Sequence, residues 1–155
     1  KRAVTAPSRR QRGFTLIELV VALTIVAVIA AVALPSYRKR VLKANRQNGI
    51  DCVIEGQKRI ENYYSRFNKS INSLDDAKVS TSCFVPEGKT TLYTLNYTAP
   101  ASGSTAYALT ATGVGRQAQD GAIVLIYNPA DGSMQKQHIT PKNVTVDGWQ
   151  FNPGQ

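Results

Sequence analysis

The chain has 155 residues, 43% of them hydrophobic, with nineteen Lys and Arg against ten Asp and Glu for a formal charge of +9. One His and two Cys leave too little material for a His-based triad, a Cys/His metal cluster or a multiply bridged scaffold. Five of the cations stand in the first thirteen residues, so the other 142 carry fourteen bases against ten acids, a balance that does not by itself specify nucleic-acid binding.

The chain opens on KRAVTAPSRRQRG, which carries Lys1, Arg2, Arg9, Arg10 and Arg12 and no acid. Directly after Gly13 comes an apolar run, and between Phe14 and Leu34 only Thr15, Glu18 and Thr24 are not apolar. As a helix these twenty-one residues measure about 31 Å, close to the ~30 Å hydrocarbon core of a bilayer. A membrane span is expected, with the leader cations holding the N-terminus in the cytoplasm. Glu18 is out of place in a plain anchor. A carboxylate inside a membrane helix either snorkels to the interface or faces a partner, and a functional site is the default reading.

A basic leader, then Gly-Phe-Thr-Leu-Ile-Glu, then an uninterrupted apolar helix resembles the class III signal of type IV prepilins. The resemblance implies that a prepilin peptidase/methylase cuts between Gly13 and Phe14 and N-methylates Phe14. It also implies that Glu18, fifth in the mature chain, meets the N-terminal amine of a neighbouring subunit. Pro35 matches a usual pilin position at which the helix weakens in assembled filaments, and a kink is expected there because the ring removes a backbone hydrogen bond.

Beyond Pro35, Tyr37 suits the membrane–water interface. Arg38, Lys39, Arg40, Lys43 and Arg46 are candidate phosphate contacts, to lipid headgroups or to DNA; cations at a membrane exit favour the lipid. From Val41 to Phe67 the pattern turns amphipathic: Val53, Ile60 and Phe67 recur every seven residues, with Gly56 and Tyr63 between them. Val41, Asn45, Asn48 and Cys52 form a weaker stripe. One helix from Phe14 to about Phe67, roughly 80 Å long, is expected.

Asn68 to Thr90 reads as an irregular connection with a helical turn near Leu74–Ala77. Strands follow: Tyr93, Leu95 and Tyr97 alternate in TLYTLNYT, and Tyr107, Leu109 and Ala111 in TAYALTAT, joined by a turn-forming APASGS. AIVLIYN is apolar enough for a central strand, Met134–Ile139 is a more polar fourth strand, and NVTVDGWQFNPGQ can add a short edge. The strand–loop–strand region YALTATGVGRQAQDGAIVLIYNPADGSM is similar to that of the PilE-type minor pilins. That group carries cysteines after the Asp and before a C-terminal Trp, where this chain has Ala122 and its neighbours and Gly148, so the C-terminal disulfide loop of many pilins is missing.

Cys52 and Cys83 form one bridge closing about thirty residues or remain two free thiols; an oxidising periplasm favours the bridge. Asp75 and Asp76 read as a solvated turn, Asp131 lacks the spacing of a calcium loop, and Tyr93, Tyr97, Tyr107 and Trp149 read as sheet packing. No metal, cofactor or catalytic set is expected.

The expected fold is α+β, a long N-terminal helix on an antiparallel sheet of about four strands. The expected division is leader 1–13, span 14–35 and, from 36 to 155, an amphipathic helix continuing into a globular head. The resemblance implies a type IV pilus subunit, most like a minor pilin, held in the inner membrane with its head in the periplasm and then moved into an extracellular filament. Its implied partners are other pilin subunits, the prepilin peptidase, the inner-membrane assembly machinery, membrane lipid before assembly and, less strongly, DNA. A pseudopilin of a type II secretion system and a DNA-receptor pilin are the alternatives.

Overall fold

The computed structural model describes residues 13–84 and 90–150. Apart from Gly13, the expected leader lies outside them. The chain divides into two compact units, the first ending at Tyr37 and the second beginning at Arg38.

Helix α1 runs from Leu16 to Phe67 with Pro35 inside it. Thr15 starts it: its side-chain oxygen accepts the Glu18 N–H at 3.3 Å. Thr-x-x-Glu is a capping-box sequence, so Glu18 also stands where a helix start favours an acid. Thr24 survives in the apolar run because its hydroxyl donates within the helix, to the Val21 carbonyl at 2.7 Å, which leaves no unpaired polar group to desolvate. The helix contains a window long and apolar enough to cross a membrane, and none of that window is buried within the chain. Leu16, Ile17, Leu23 and Val28 are among its exposed apolar side chains.

In the second unit six strands form one antiparallel meander in the order β1 to β6. They are β1 Ser82–Phe84, β2 Thr91–Thr98, β3 Tyr107–Gly113, β4 Ala122–Asn128, β5 Ser133–Ile139 and β6 Thr145–Asp147. The expected four strands are the long ones. The other two are three-residue edges: β6 is the short edge expected in NVTVDGWQFNPGQ, while β1, too short to show a period in sequence, falls inside the segment read as irregular. The 3₁₀ turn η1, Gly115–Asp120, lies between β3 and β4.

Register sets the core. Leu95 faces Ala111, Leu109 faces Leu125, and Ala111 faces Ile123 across β2, β3 and β4, so one side of the pleat is apolar across three strands. Onto it packs the helical stripe Arg46, Gly49, Val53, Gly56 and Ile60. Gly49 is dictated by proximity: a Cβ there would come within 2.8 Å of the Tyr93 ring and 2.9 Å of Ile123 Cδ1. Phe67 is exposed and does not continue the stripe, whereas Tyr63 packs against the core and Asn45, Asn48 and Cys52 are half-buried. Tyr97, Tyr107 and Tyr127 form a ladder with ring centroids 5.7 Å apart at each step. The Tyr107 hydroxyl donates to Glu61 at 3.3 Å; burial, and then the Glu61 charge, push that phenol well above the ordinary tyrosine range.

A disulfide joins Cys52 of α1 to Cys83 of β1, closing a loop of sequence separation 31. Within the loop Asp76 accepts the Asn72 and Ser73 N–H groups, and Ile71, Leu74 and Val79 reach the core. Loop closure of this length is worth roughly 3–4 kcal/mol in the chain-entropy account. Cys52→Ser with Cys83→Ser should therefore lower the urea unfolding free energy of the unit from Arg38 onward by about that amount. A loss below about 1 kcal/mol would mean that the three apolar anchors hold the loop alone.

Candidate functional site

Of the five cations after Pro35, Arg38, Lys39, Arg40 and Lys43 are exposed. Arg46 is a correction: it is 2% exposed and cannot serve a phosphate. The helix stripe, one residue every three to four, reaches Arg46, and that periodicity is the signal in the sequence that separates it from its neighbours.

Arg46 anchors a buried polar cluster. Its Nη1 lies 2.7 Å from Asp120 Oδ1, both side chains being almost wholly buried. Its Nε donates to the Trp149 carbonyl at 3.2 Å. The second carboxylate oxygen of Asp120 accepts the Tyr93 hydroxyl at 2.5 Å. Burial first, then the Asp120 carboxylate, push the Tyr93 phenol far above its ordinary range, so it acts as a neutral donor. Gln117 Nε2 donates both to the Tyr93 oxygen at 2.7 Å and to the Leu42 carbonyl at 3.0 Å. His138 Nε2 lies 2.6 Å from the Asp120 backbone carbonyl. A carbonyl can only accept, so that nitrogen carries a hydrogen, and the Arg46 Nη1 3.2 Å away directs its own hydrogen to Asp120 instead.

This cluster ties α1, β2, η1, β5 and the C-terminal segment together. A charged guanidinium is tolerable at this depth because a carboxylate faces it and further hydrogen bonds hold both groups. Its architecture is positional: the ion pair is almost wholly buried, and of the groups named here Arg46 Nη2 and Gln117 Oε1 are buried without a partner among the described residues. Backbone proximity reinforces it at Gly121, where φ is +83° and a Cβ would fall on the Ile139 carbonyl, a place only glycine fills without strain.

Asp131 and Trp149 are held within the fold. Asp131 accepts the Ser133 N–H at 2.8 Å in the β4–β5 turn. The Ser133 hydroxyl, and then that backbone bond, hold its carboxyl below the ordinary range. Trp149 packs on the core and donates from Nε1 to the Val124 carbonyl at 2.9 Å, and Lys136 Nζ lies 5.0 Å from its ring. Among the described residues no group of three His, Cys, Asp or Glu is placed to hold a metal ion.

Comparison with known proteins matches residues 35–122 to a family described as type IV minor pilin ComP, DNA uptake sequence receptor. Residues 8–34 match the prokaryotic N-terminal methylation motif, which takes in Gly13, Phe14 and Glu18. The chain is 31% identical over 123 residues to fimbrial protein EcpC of Eikenella corrodens, covering 79% of this chain and 78% of that protein. It is 43% identical over 60 residues to type IV major pilin protein PilE1 of Neisseria gonorrhoeae, covering 38% of this chain and 36% of that one. A shorter similarity, 33% over 55 residues, connects it to type II secretion system core protein G of Dickeya chrysanthemi, covering 36% of each. Arg46, Tyr93, Gln117 and Asp120 fall inside the minor-pilin match.

Proposed function

The chain belongs to the type IV minor pilin family, and on that premise we propose that it is a filament subunit whose head contacts DNA during uptake. Membrane anchoring by the apolar N-terminal helix, assembly with other pilins and processing by prepilin peptidase come with the family. The finer steps are part of the proposal. Peptidase cuts after Gly13 and methylates Phe14, the head lies on the periplasmic side, and the inner-membrane assembly machinery lifts the subunit into the filament. There Glu18 pairs with the α-amine of a neighbour.

The observation that carries the DNA reading is the match over residues 35–122, most of the head, to a family described as DNA uptake sequence receptors. Phosphate contacts would come from exposed cations of the head: Lys69 and Lys78 in the loop after α1, and Lys136 beside Trp149. Binding of duplex DNA to the full-length chain in detergent should weaken steeply with salt, because each neutralised phosphate releases counterions. Replacing Lys69, Lys78 and Lys136 by Gln should flatten the log–log slope by about one for each phosphate no longer neutralised. Salt-insensitive binding, or none, would overturn the reading and leave an assembly role without DNA.

A further inference from the structure

The positive excess of the head is confined to one rim. Three segments adjoin there: the helix turns from Arg38 to Arg46, the η1 turn, and the β5–β6 turn from Thr140 to Val144. Gln117 of η1 bonds the Leu42 carbonyl, Asp120 pairs with Arg46, and Ala122 is in register with Ile139, which brings the ends of η1 and β5 side by side. Arg38, Lys39, Arg40, Lys43, Arg116 and Lys142 are all exposed, and the one acid in the three segments, Asp120, is buried in its pair. The rest of the head carries seven Lys and Arg against eight Asp and Glu. Between the cations stand exposed apolar side chains, Val41, Val114 and Val144.

We propose that this rim is a docking surface for the anionic phospholipid headgroups of the membrane that holds the subunit before assembly. Connectivity argues for lipid over any other phosphate. Lys43 lies only nine positions beyond Leu34, the last of the apolar run, at most about 30 Å of chain whatever angle the head takes. Tyr37, exposed between the two, has the amphipathic ring that favours the headgroup level. Six cations on one rim meet phosphates of opposite sign, and the valines can enter the acyl boundary beside them. The buried Arg46–Asp120 pair has a consequence here: by holding η1 to α1 it adds Arg116, more than 70 residues away in sequence, to the cations of the helix.

The test uses the full-length chain in lipid nanodiscs, of phosphatidylcholine alone or mixed with phosphatidylglycerol, with a spin-labelled lipid added. Broadening of the Arg116, Lys142 and Val144 amide signals is expected in the anionic discs and not in the neutral ones. It should fade as salt rises from about 0.05 to about 0.5 M, where screening shortens to a few ångströms. Arg116→Gln and Lys142→Gln should each lower the bound fraction about fivefold, and Arg116→Lys and Lys142→Arg should keep it. No broadening, or equal broadening in both lipids, would overturn the proposal. So would duplex DNA that shifts the same amides and releases them from anionic discs, since the rim would then be a nucleic-acid surface. The lipid and salt comparison needs no variant, so it decides the matter even if a substitution impairs folding.

Discussion

Glu18→Ala should leave the chain cut after Gly13 and methylated at Phe14, yet deplete it from sheared filaments on the order of 100-fold. The magnitude follows from charge burial. In an apolar filament core the α-amine of the neighbouring subunit, ordinarily protonated below about pH 7.7–8, keeps its charge on methylation. Removing its partner leaves that cation uncompensated, at roughly 3 kcal/mol or more. Mass spectrometry of the sheared and membrane fractions reads both processing and incorporation. The capping geometry supplies the control. Because the Glu18 N–H is held by Thr15, loss of Glu18 could also weaken the helix start, and Gln serves a capping box nearly as well as Glu. If Glu18→Gln fails as Ala does, the charge matters. If Gln restores incorporation, Glu18 acts only as a cap and the pairing is wrong. Accumulation of both processed variants in filaments at normal level would sink either role.

The second large effect is expected at Asp120. Asp120→Ala strands the Arg46 guanidinium and takes the acceptor from Tyr93, which should cost about 3–5 kcal/mol of head stability. That is a large share of the ~5–15 kcal/mol available to a domain of this size. Urea unfolding of the unit from Arg38 onward, expressed alone, measures it. The double replacement Arg46→Met with Asp120→Leu should recover most of the loss, because apolar groups of similar volume need no partner. A single-variant loss under about 1 kcal/mol would show that water reaches the pair. The stable double variant has a further use: with η1 no longer bonded to α1 through the pair, the rim should dock on anionic lipid more weakly although the head remains folded.

Much of the architecture is local and was open to reading. The apolar run, the acid within it and the leader before it are contiguous, and their meaning depends on length and spacing alone. The hairpin strands declare themselves through alternation at Tyr93, Leu95 and Tyr97, which the register places opposite Gly113, Ala111 and Leu109. What escaped was non-local or too short to have a period. Three-residue β1 owes its strand character to the β2 it pairs with, and η1 is held by Gln117 and Asp120 reaching the helix.

Arg46 marks the boundary between the two kinds of information. By sequence it is one more cation in a basic run, and its spacing to Gly49 and Val53 is the sole hint that it turns inward. The chain by itself determined that there is one apolar helix bearing a carboxylate, one amphipathic continuation, a set of alternating strands and two cysteines. Only the tertiary structure decided which cation is buried, because that depends on a carboxylate 74 residues away whose approach is set by the register of four strands. The cost of leaving either charge unpaired at that depth makes the two choices one.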